Sequence, residues 1–139
     1  MAYAKELTKN QTDTFIKNNR HGILAFAGDK PYSLPMGYIY RRKTFLLGLV
    51  ATGRKMKYLK ESKKVCFTIC KPRWETPDQK TPCTTLVLEG SLEEVTNRSY
   101  YGLKGKIPEN VQLYKLKTSK TGARKCNRKP CELFAKKKP

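Results

Sequence analysis

The chain has 139 residues, of which 38% are hydrophobic, and it carries a formal net charge of +19. This length predicts one domain with its own core. The sequence contains no run of about 18 apolar residues, so we expect no transmembrane helix. The opening residues, MAYAKELTKNQ, lack the apolar segment of a signal peptide, so we expect a cytoplasmic protein.

The positive charge is spread over the whole chain. Residues 120–139 contain eight Lys and Arg against one Glu, a net +7, which leaves +12 on the remaining residues. Such a surface attracts polyanions non-specifically, or small anionic ligands. A basic nucleic-acid- or polyanion-binding module without redox activity is therefore one interpretation. The aromatic residues argue against it, because they fall at core-alternating positions and form no surface stacking array.

Five cysteines are an odd number and do not suggest a disulfide framework. Cys66 and Cys70 are four residues apart on a predicted strand, about 13 Å at the rise of a strand, which is beyond disulfide reach. Cys126 and Cys131 can approach each other in the basic tail. With a single histidine and no C-x-x-C pair, we predict no metal site and expect reduced thiols.

The first elements are short. Residues 8–18 are predicted as a helix, with Thr8 and Gln11 at capping-box spacing. His21 lies in the turn that stops this helix and is interpreted as an ordinary turn residue. Residues 23–27 then form a strand that ends in the turn sequence GDKP.

The following stretch organises the rest of the chain. Apolar residues alternate with other residues over 32–40, which predicts a strand with one buried face. Residues 41–43 make a polar hairpin turn into a strand at 44–50, which is apolar on both faces, as inside a barrel or beneath a partner subunit. Thr52 is a candidate N-cap for a helix over residues 53–62.

Two cations lie in the first turn of that helix, Arg54 and Lys55. Positive charge there opposes the helix macrodipole, and a bound anion would relieve the conflict. Free N–H groups, a guanidinium and an ammonium together predict a phosphate site. The alternative is that both residues begin a basic, solvated helix face, since four more lysines follow between residues 57 and 64.

The next predicted element is a strand over residues 65–70. Val65, Phe67 and Ile69 share its buried face. Residues 71–82 then read as a long loop containing Trp74, which is expected more often to pack against its own subunit than to contact a ligand.

The last third contains two more predicted strands, at residues 83–93 and 111–118, with a short helix over 97–104 between them. Gly90 interrupts the first of these strands and predicts a bulge or a close backbone approach. From Lys120 onward we expect a tail that is mobile or docks late. Short turns join most strands, which favours an antiparallel sheet closing on itself over a doubly wound α/β fold.

Four segments carry a family resemblance: GILA at 22–25, YSLPMGYIY at 32–40, GRK at 53–55 and KVCF at 64–67. They resemble the pyridoxamine 5′-phosphate oxidase-like FMN-binding split barrels, nearest the branch of nitroimidazole-resistance proteins. The similarity extends from residue 7 to about residue 125.

The resemblance implies a mainly β fold with a few helices, a six-stranded antiparallel split β-barrel. It also implies a homodimer with an FMN in each of two clefts at the subunit interface. The domains implied are an FMN-binding domain at 1–125 and a basic tail at 126–139.

The resemblance implies a cofactor site as well. Arg54 and Lys55 are similar to the family residues that hold the FMN phosphate, two strands contact the flavin, and a pair of threonines offers small hydroxyls. The implied cofactor-binding residues are Ser33, Leu34, Pro35, Met36, Gly37, Leu49, Val50, Gly53, Arg54, Lys55, Thr84 and Thr85.

Two departures from the family pattern bear on activity. Gly48 and Gly37 stand where relatives often have a histidine and an asparagine, and the residues that bind pyridoxamine phosphate in the true oxidase are not recognisable. The chain also lacks the G-x-S-x-G, H-E-x-x-H and Walker motifs, so a self-contained hydrolase is not expected. The resemblance thus implies an FMN-dependent, nitroreductase-like oxidoreductase, in which the flavin carries the redox chemistry. Its catalytic residues are unknown, its substrate is a small molecule, and NADH and NADPH are candidate electron donors.

Overall fold

The computed structural model describes residues 4–72 and 83–126. These residues form eight strands, two α-helices and a 3-10 helix at Arg98–Tyr101, so the predicted mainly β class is confirmed. In chain order the elements are β1 (Ala4–Glu6), α1 (Lys9–Lys17), β2 (His21–Phe26), β3 (Tyr32–Gly37), β4 (Ile39–Arg41), β5 (Thr44–Val50), α2 (Arg54–Glu61), β6 (Lys64–Lys71), β7 (Cys83–Glu94) and β8 (Val111–Cys126). Neither α-helix is long and apolar enough to cross a membrane.

All eight strands belong to one antiparallel sheet in the order β3-β2-β6-β7-β8-β5-β4, with β1 paired to β8. The two ends of this order, β3 and β4, follow each other in the chain with only Tyr38 between them. The sheet must therefore curl round until its ends meet. This is the open barrel that the short connections predicted.

The barrel interior is filled by one apolar cluster. Leu24, Leu47, Phe67 and Leu86 are completely buried in it. On β6 the burial alternates as the sequence predicted, since Val65, Phe67 and Ile69 point inward. These side chains account for the hydrophobic part of folding stability, because burying one such side chain contributes about 1.5–3 kcal/mol.

Tyr38 joins the two ends of the sheet and is itself buried. Its ring packs edge-on against Phe45 and Phe67, with centroid distances of 5.2 and 5.7 Å. Its hydroxyl donates a 2.6 Å hydrogen bond to the carbonyl of Ile16 near the end of α1. Burial raises the pKa of Tyr38 to about 12.

The strand predicted to be apolar on both faces is β5, and Phe45, Leu46 and Leu47 are all buried. Leu46 faces away from the main cluster and packs in a second one with Val95, Leu103 and Leu113. The chain thus covers this outer part of β5 by itself. Gly48 and Val50 lie farther along the same outer face and remain exposed.

The hairpin turn between β4 and β5 is polar, as predicted, but its backbone is unusual. Arg42 and Lys43 both have positive φ, 51° and 57°. This is the left-handed region, in which residues other than glycine and asparagine are disfavoured. Arg42 donates through Nε to the carbonyl of Tyr100 at 2.8 Å, and its guanidinium lies 4.3 Å from the centroid of the Tyr100 ring. These contacts hold the turn against the 3-10 helix.

The number of strands differs from the six implied by the resemblance. The strand predicted over residues 32–40 is divided at Tyr38 into β3 and β4, and β1 is an additional strand. At the division the Tyr38 amide donates to the Arg20 carbonyl at 2.8 Å, and the chain passes from one end of the sheet to the other. The helix predicted at 97–104 is also shorter, a single 3-10 turn at Arg98–Tyr101.

The prediction that the last strand ends near residue 118 was wrong. β8 continues to Cys126, and its second half pairs with β7 on one side and with β1 on the other. Residues 120–126 are therefore part of the sheet and not of a mobile tail. The boundary at 125 stays a prediction, and Trp74, Cys131 and most of the predicted loop lie outside the described residues.

Gly90 lies at a break in the register between β7 and β8, so the predicted bulge is confirmed. A Cβ at this position would lie 2.1 Å from the carbonyl oxygen of Lys117, so no side chain fits there. Cys66 and Cys70 on β6 form no disulfide, as the strand spacing predicted.

Candidate functional site

The helix α2 begins at Arg54, and its N-cap is Gly53 rather than Thr52. Gly53 has φ +89°, a conformation that glycine adopts without strain. A glycine offers no side-chain oxygen to cap the first turn. The Met56 amide donates to the Gly53 carbonyl at 3.2 Å, so the amides of Arg54 and Lys55 are the ones left for other partners. The positive end of the helix dipole has no acidic residue beside it in the first turn.

Arg54 extends from this helix end over aromatic rings. Its guanidinium lies 4.5 Å from the centroid of the Tyr32 ring and 5.4 Å from that of Tyr58. It donates a 3.1 Å hydrogen bond to the Tyr58 hydroxyl. Among residues 4–72 and 83–126 it forms no ion pair with a carboxylate. The hydrogen bond with Tyr58 raises the pKa of Arg54 further above its ordinary value, so its charge persists at every physiological pH.

The rings beneath Arg54 form a packed aromatic group of Phe26, Tyr32 and Tyr58. Tyr32 stacks on both neighbours at centroid distances of 5.4 Å. Gly28 makes room for this group, since a Cβ there would lie 2.1 Å from carbons of the Tyr58 ring. Arg54 therefore rests on a rigid surface that belongs to the core.

An open cleft of about 440 Å³ lies beside this surface. Arg54 and Tyr58 line it together with Asp29, Lys30 and Lys57. Three of these five side chains are cationic, so the cleft is suited to a negatively charged group.

Lys55, the second predicted phosphate residue, is half-buried and has a different environment. Its ammonium donates a 2.8 Å hydrogen bond to the carbonyl of Thr52, which closes the turn before α2. The structure places Arg54 and Lys55 together in the first helical turn, as predicted. The phosphate site that they would form stays a prediction.

The predicted residues of β3 alternate between two environments. Ser33, Pro35 and Gly37 are exposed on the outer face of the sheet, whereas Leu34 and Met36 pack against the core. β3 reaches the helix end through Tyr32, which lies under Arg54. The structure thus brings the start of β3 and the start of α2 together.

The two predicted residues of β5 are likewise on opposite faces. Leu49 is buried in the core, and Val50 is 40% exposed on the outside. Only two residues separate Val50 from Gly53, and the Thr52 amide donates to the Val50 carbonyl at 2.8 Å. The end of β5 therefore also belongs to the region around the helix start.

Thr84 and Thr85 are not part of this region within one chain. β7 is three strands away from β3 in the sheet, about 14 Å at normal strand spacing. Across the sheet, Tyr32 on β3 is in register with Gly90 on β7, through Phe26 and Val65 on the strands between them. Thr85 lies five residues, or about 17 Å, along β7 from Gly90.

These two threonines also point in opposite directions. Thr84 is buried on the inner face, and Thr85 lies on the outer face, where its hydroxyl donates to the Cys70 sulfur at 3.7 Å. Their hydroxyls cannot both be offered to one surface.

Sequence reasoning missed the residues that support Arg54. Tyr58 follows Arg54 by four positions, a spacing that brings side chains together on a helix, so this pair was detectable. Tyr32 and Gly28 were not, because their contacts with Tyr58 depend on how the turn after β2 packs. His21 is the first residue of β2 and pairs with Gly37, so it lies in the sheet and not in the turn.

Three solved structures illustrate the fold similarity. A FAD-binding protein from Mesorhizobium loti has 16% identity and a TM-score of 0.71, with 90% of this chain and 98% of that chain covered. The FAD-binding protein from Mycobacterium smegmatis has 12% identity and a TM-score of 0.67, with 87% of this chain and 98% of that chain covered. A putative 5-nitroimidazole antibiotic resistance protein from Bacteroides thetaiotaomicron has 14% identity and a TM-score of 0.67, with 87% of this chain and 86% of that chain covered. At these identities the likeness shows the fold, and the expected split-barrel architecture is confirmed.

Sequence comparison adds the family. No curated protein matches the chain. The family profile of pyridoxamine 5′-phosphate oxidase matches residues 8–100, which is more than half of the chain and includes β3, β5 and the start of α2. The chain belongs to the pyridoxamine 5′-phosphate oxidase family.

Proposed function

We propose that the protein binds FMN and acts as an FMN-dependent oxidoreductase, with the flavin phosphate held by Arg54 and Lys55 at the start of α2. The observation that carries this proposal is the position of Arg54, a cation without a carboxylate partner among the described residues, beside a helix N-terminus capped by glycine. Family membership supports a flavin as the ligand, and so do the two structural neighbours named as FAD-binding proteins.

The residues around the helix start fit a phosphate monoester. Uncapped amides and a guanidinium are the donors that a phosphate dianion requires. Gly53 keeps the approach to those amides open, because it carries no side chain. One compact cationic cleft matches the single terminal phosphate of FMN, and this is why we propose FMN rather than FAD.

The phosphate cradle, which we define as Gly53, Arg54 and Lys55, lies next to β3 and β5. These two strands offer a surface for the isoalloxazine ring of the flavin. In the described part of the chain β3 is paired only with β2, so backbone groups on its other edge are available for hydrogen bonds. Exposed Ser33, Pro35 and Gly37 leave little side-chain bulk on its outer face. When bound, the flavin would supply the redox chemistry, while the chain would bind and orient it. The substrate is then a small molecule, and NADH and NADPH are the donors to screen.

We also propose that the functional form is a homodimer with the flavin between subunits. The outer face of the sheet presents a row of small or apolar residues across four strands: Pro35, Ile23, Thr68 and Val87. Ile23 is 50% exposed, an unusual position for isoleucine in a chain that is so highly charged. A second copy on this face would cover it, and it could bring Thr85 of one subunit towards the cradle of the other.

Light scattering tests the assembly. We expect a mass near twice the 16.0 kDa of one chain at micromolar concentration. A mass near that of one chain would contradict the dimer.

Flavin titration tests the site. Arg54→Ala removes charge-assisted hydrogen bonds of about 1.5–3 kcal/mol and should weaken FMN binding about ten- to a hundredfold. Riboflavin, which lacks the phosphate, should bind equally well to both proteins. Lys63→Ala is the matched control: it removes one charge just beyond the far end of α2, at a distance where solvent and salt screen it.

The outcomes separate the alternatives. Equal losses for Arg54→Ala and Lys63→Ala would mean that general positive charge attracts the flavin and that no phosphate cradle exists. Protein that shows no absorbance near 450 nm after incubation with FMN would refute the flavin proposal itself. A salt-dependent gel shift with arbitrary DNA would then favour the polyanion-binding alternative.

A further inference from the structure

The side chain of Arg54 is exposed but makes three contacts through its guanidinium. An exposed arginine ordinarily samples many rotamers, and a ligand that orders it must offset that loss of entropy. Here three contacts restrict the guanidinium: the faces of the Tyr32 and Tyr58 rings and the hydrogen bond to the Tyr58 hydroxyl.

Tyr58 is in turn fixed by the core. It is 4% exposed, lies on the buried side of α2 next to Leu59, and packs against Tyr32 and Phe26 at centroid distances of 5.4 and 6.5 Å. The missing side chain of Gly28 leaves the space that its ring occupies. The position of the Tyr58 hydroxyl is therefore set by the fold and does not depend on a ligand.

A carboxylate competes for Arg54 nearby. Asp29 lines the same cleft as Arg54 and is exposed. An ion pair with it would neutralise the guanidinium and compete with a bound anion. No such pair forms in the structure, and Arg54 contacts Tyr58 instead.

We propose that Tyr58 is a positioning residue, which holds the Arg54 guanidinium at the first turn of α2 and out of an ion pair with Asp29, and thereby makes the site selective for phosphorylated flavin. The inference rests on the proposed function for the identity of the ligand. It assigns to Tyr58 a task that neither the family match nor the structural neighbours describe.

Tyr58→Phe removes the hydroxyl and keeps the ring. We expect FMN to bind about three- to tenfold more weakly, the effect of losing one hydrogen bond that orders a binding group. Riboflavin affinity should not change. In an Arg54→Ala background the same substitution should have no further effect on FMN, since Tyr58 acts through Arg54.

Tyr114→Phe is the matched control. Tyr114 is also 4% exposed, and its hydroxyl donates to the Gln112 side chain at 2.7 Å, on β8 and outside the cleft. It should leave the affinities of FMN and riboflavin unchanged. Equal losses of FMN and riboflavin in Tyr58→Phe would mean that Tyr58 only supports the fold, and this would overturn the proposal.

A second readout does not depend on flavin binding. In ¹⁵N-labelled, flavin-free protein the Nε–H signal of Arg54, identified by its absence in Arg54→Ala, should show a high heteronuclear NOE that falls in Tyr58→Phe. An NOE that is equal in the two proteins, whether high or low, would overturn the proposal. If the wild-type protein bound no FMN, the proposed function would fail, and this NOE comparison would still decide whether Tyr58 positions Arg54.

Discussion

Because the hydroxyl of Tyr38 is buried, we expect the free energy of unfolding to fall at alkaline pH. The substitution Tyr38→Phe should remove this pH dependence. At pH 8, Tyr38→Phe should lower the free energy of unfolding by about 1–2 kcal/mol. It deletes the 2.6 Å hydrogen bond to the Ile16 carbonyl, which then accepts only from the backbone amides of the turn after α1, those of Asn18 and Asn19, within the described residues.

Above pH 10 the stabilising effect of the Tyr38 hydroxyl declines. Burial raises the pKa of Tyr38 from 10.0 to about 12, so the unfolded chain loses the phenol proton while the folded protein retains it. The wild type should then lose about 1.4 kcal/mol of stability per pH unit between pH 10 and 12, a loss that Tyr38→Phe does not share. The advantage of the tyrosine present below pH 10 should therefore vanish near pH 11, and the phenylalanine variant should be the more stable protein at pH 12.

Urea denaturation followed by circular dichroism measures both proteins at each pH. The difference between their unfolding free energies is the quantity of interest, because lysine titration and net charge affect both proteins alike. A difference that stayed constant from pH 8 to pH 12 would refute the reasoning, since it would mean that Tyr38 ionises equally in the folded and the unfolded chain.

Three further substitutions test local features by the same denaturation assay. Gly28→Ala places a Cβ against the Tyr58 ring and should destabilise by about 1–3 kcal/mol, and an unchanged midpoint would contradict the close approach. Lys43→Gly relieves a residue at φ 57° and should stabilise by about 0.5–1 kcal/mol; a loss of stability would show that the turn does not strain the lysine. Thr8→Ala breaks the capping box with Gln11 and should cost about 1 kcal/mol, whereas no loss would mean that α1 does not depend on its cap.

The elements that sequence reasoning predicted well are those whose signal is local. The capping box of α1 depends on residues three positions apart, and the burial of β6 depends on strict alternation. The bulge at Gly90 needs only a glycine inside a strand pattern. In each case the residues that determine the structure are neighbours in the chain.

The failures have the opposite character. β8 continues through a lysine- and arginine-rich segment because β7 and β1 supply backbone partners on both sides, and composition does not reveal such partners. The positive φ values of Arg42 and Lys43 were hidden for a similar reason. Contacts with Tyr100, almost 60 residues later, hold a turn that the residues themselves disfavour.

The candidate site shows both cases together. The cations at the start of α2 were identified from Gly53, Arg54 and Lys55 alone. The N-cap was placed on Thr52 because threonine is the better capping residue, but Gly53 takes that position through its positive φ. The aromatic support under Arg54 could not be predicted, since the contact between Tyr32 and Tyr58 depends on how the turn after β2 packs.

The place of β8 in the sheet has a consequence for how the protein is made. β8 is the partner of β1, β5 and β7, yet it follows β5 by some 60 residues of sequence. At about 5–20 residues per second, a ribosome therefore takes several seconds between the synthesis of the apolar strand β5 and that of β8. During that interval β5 can pair only with β4, and its other edge, at Leu46 and Leu47, is an open hydrophobic strand edge of the kind that promotes aggregation. Purified chains truncated before residue 111 should thus be bound by chaperones, whereas chains that include β8 should not be.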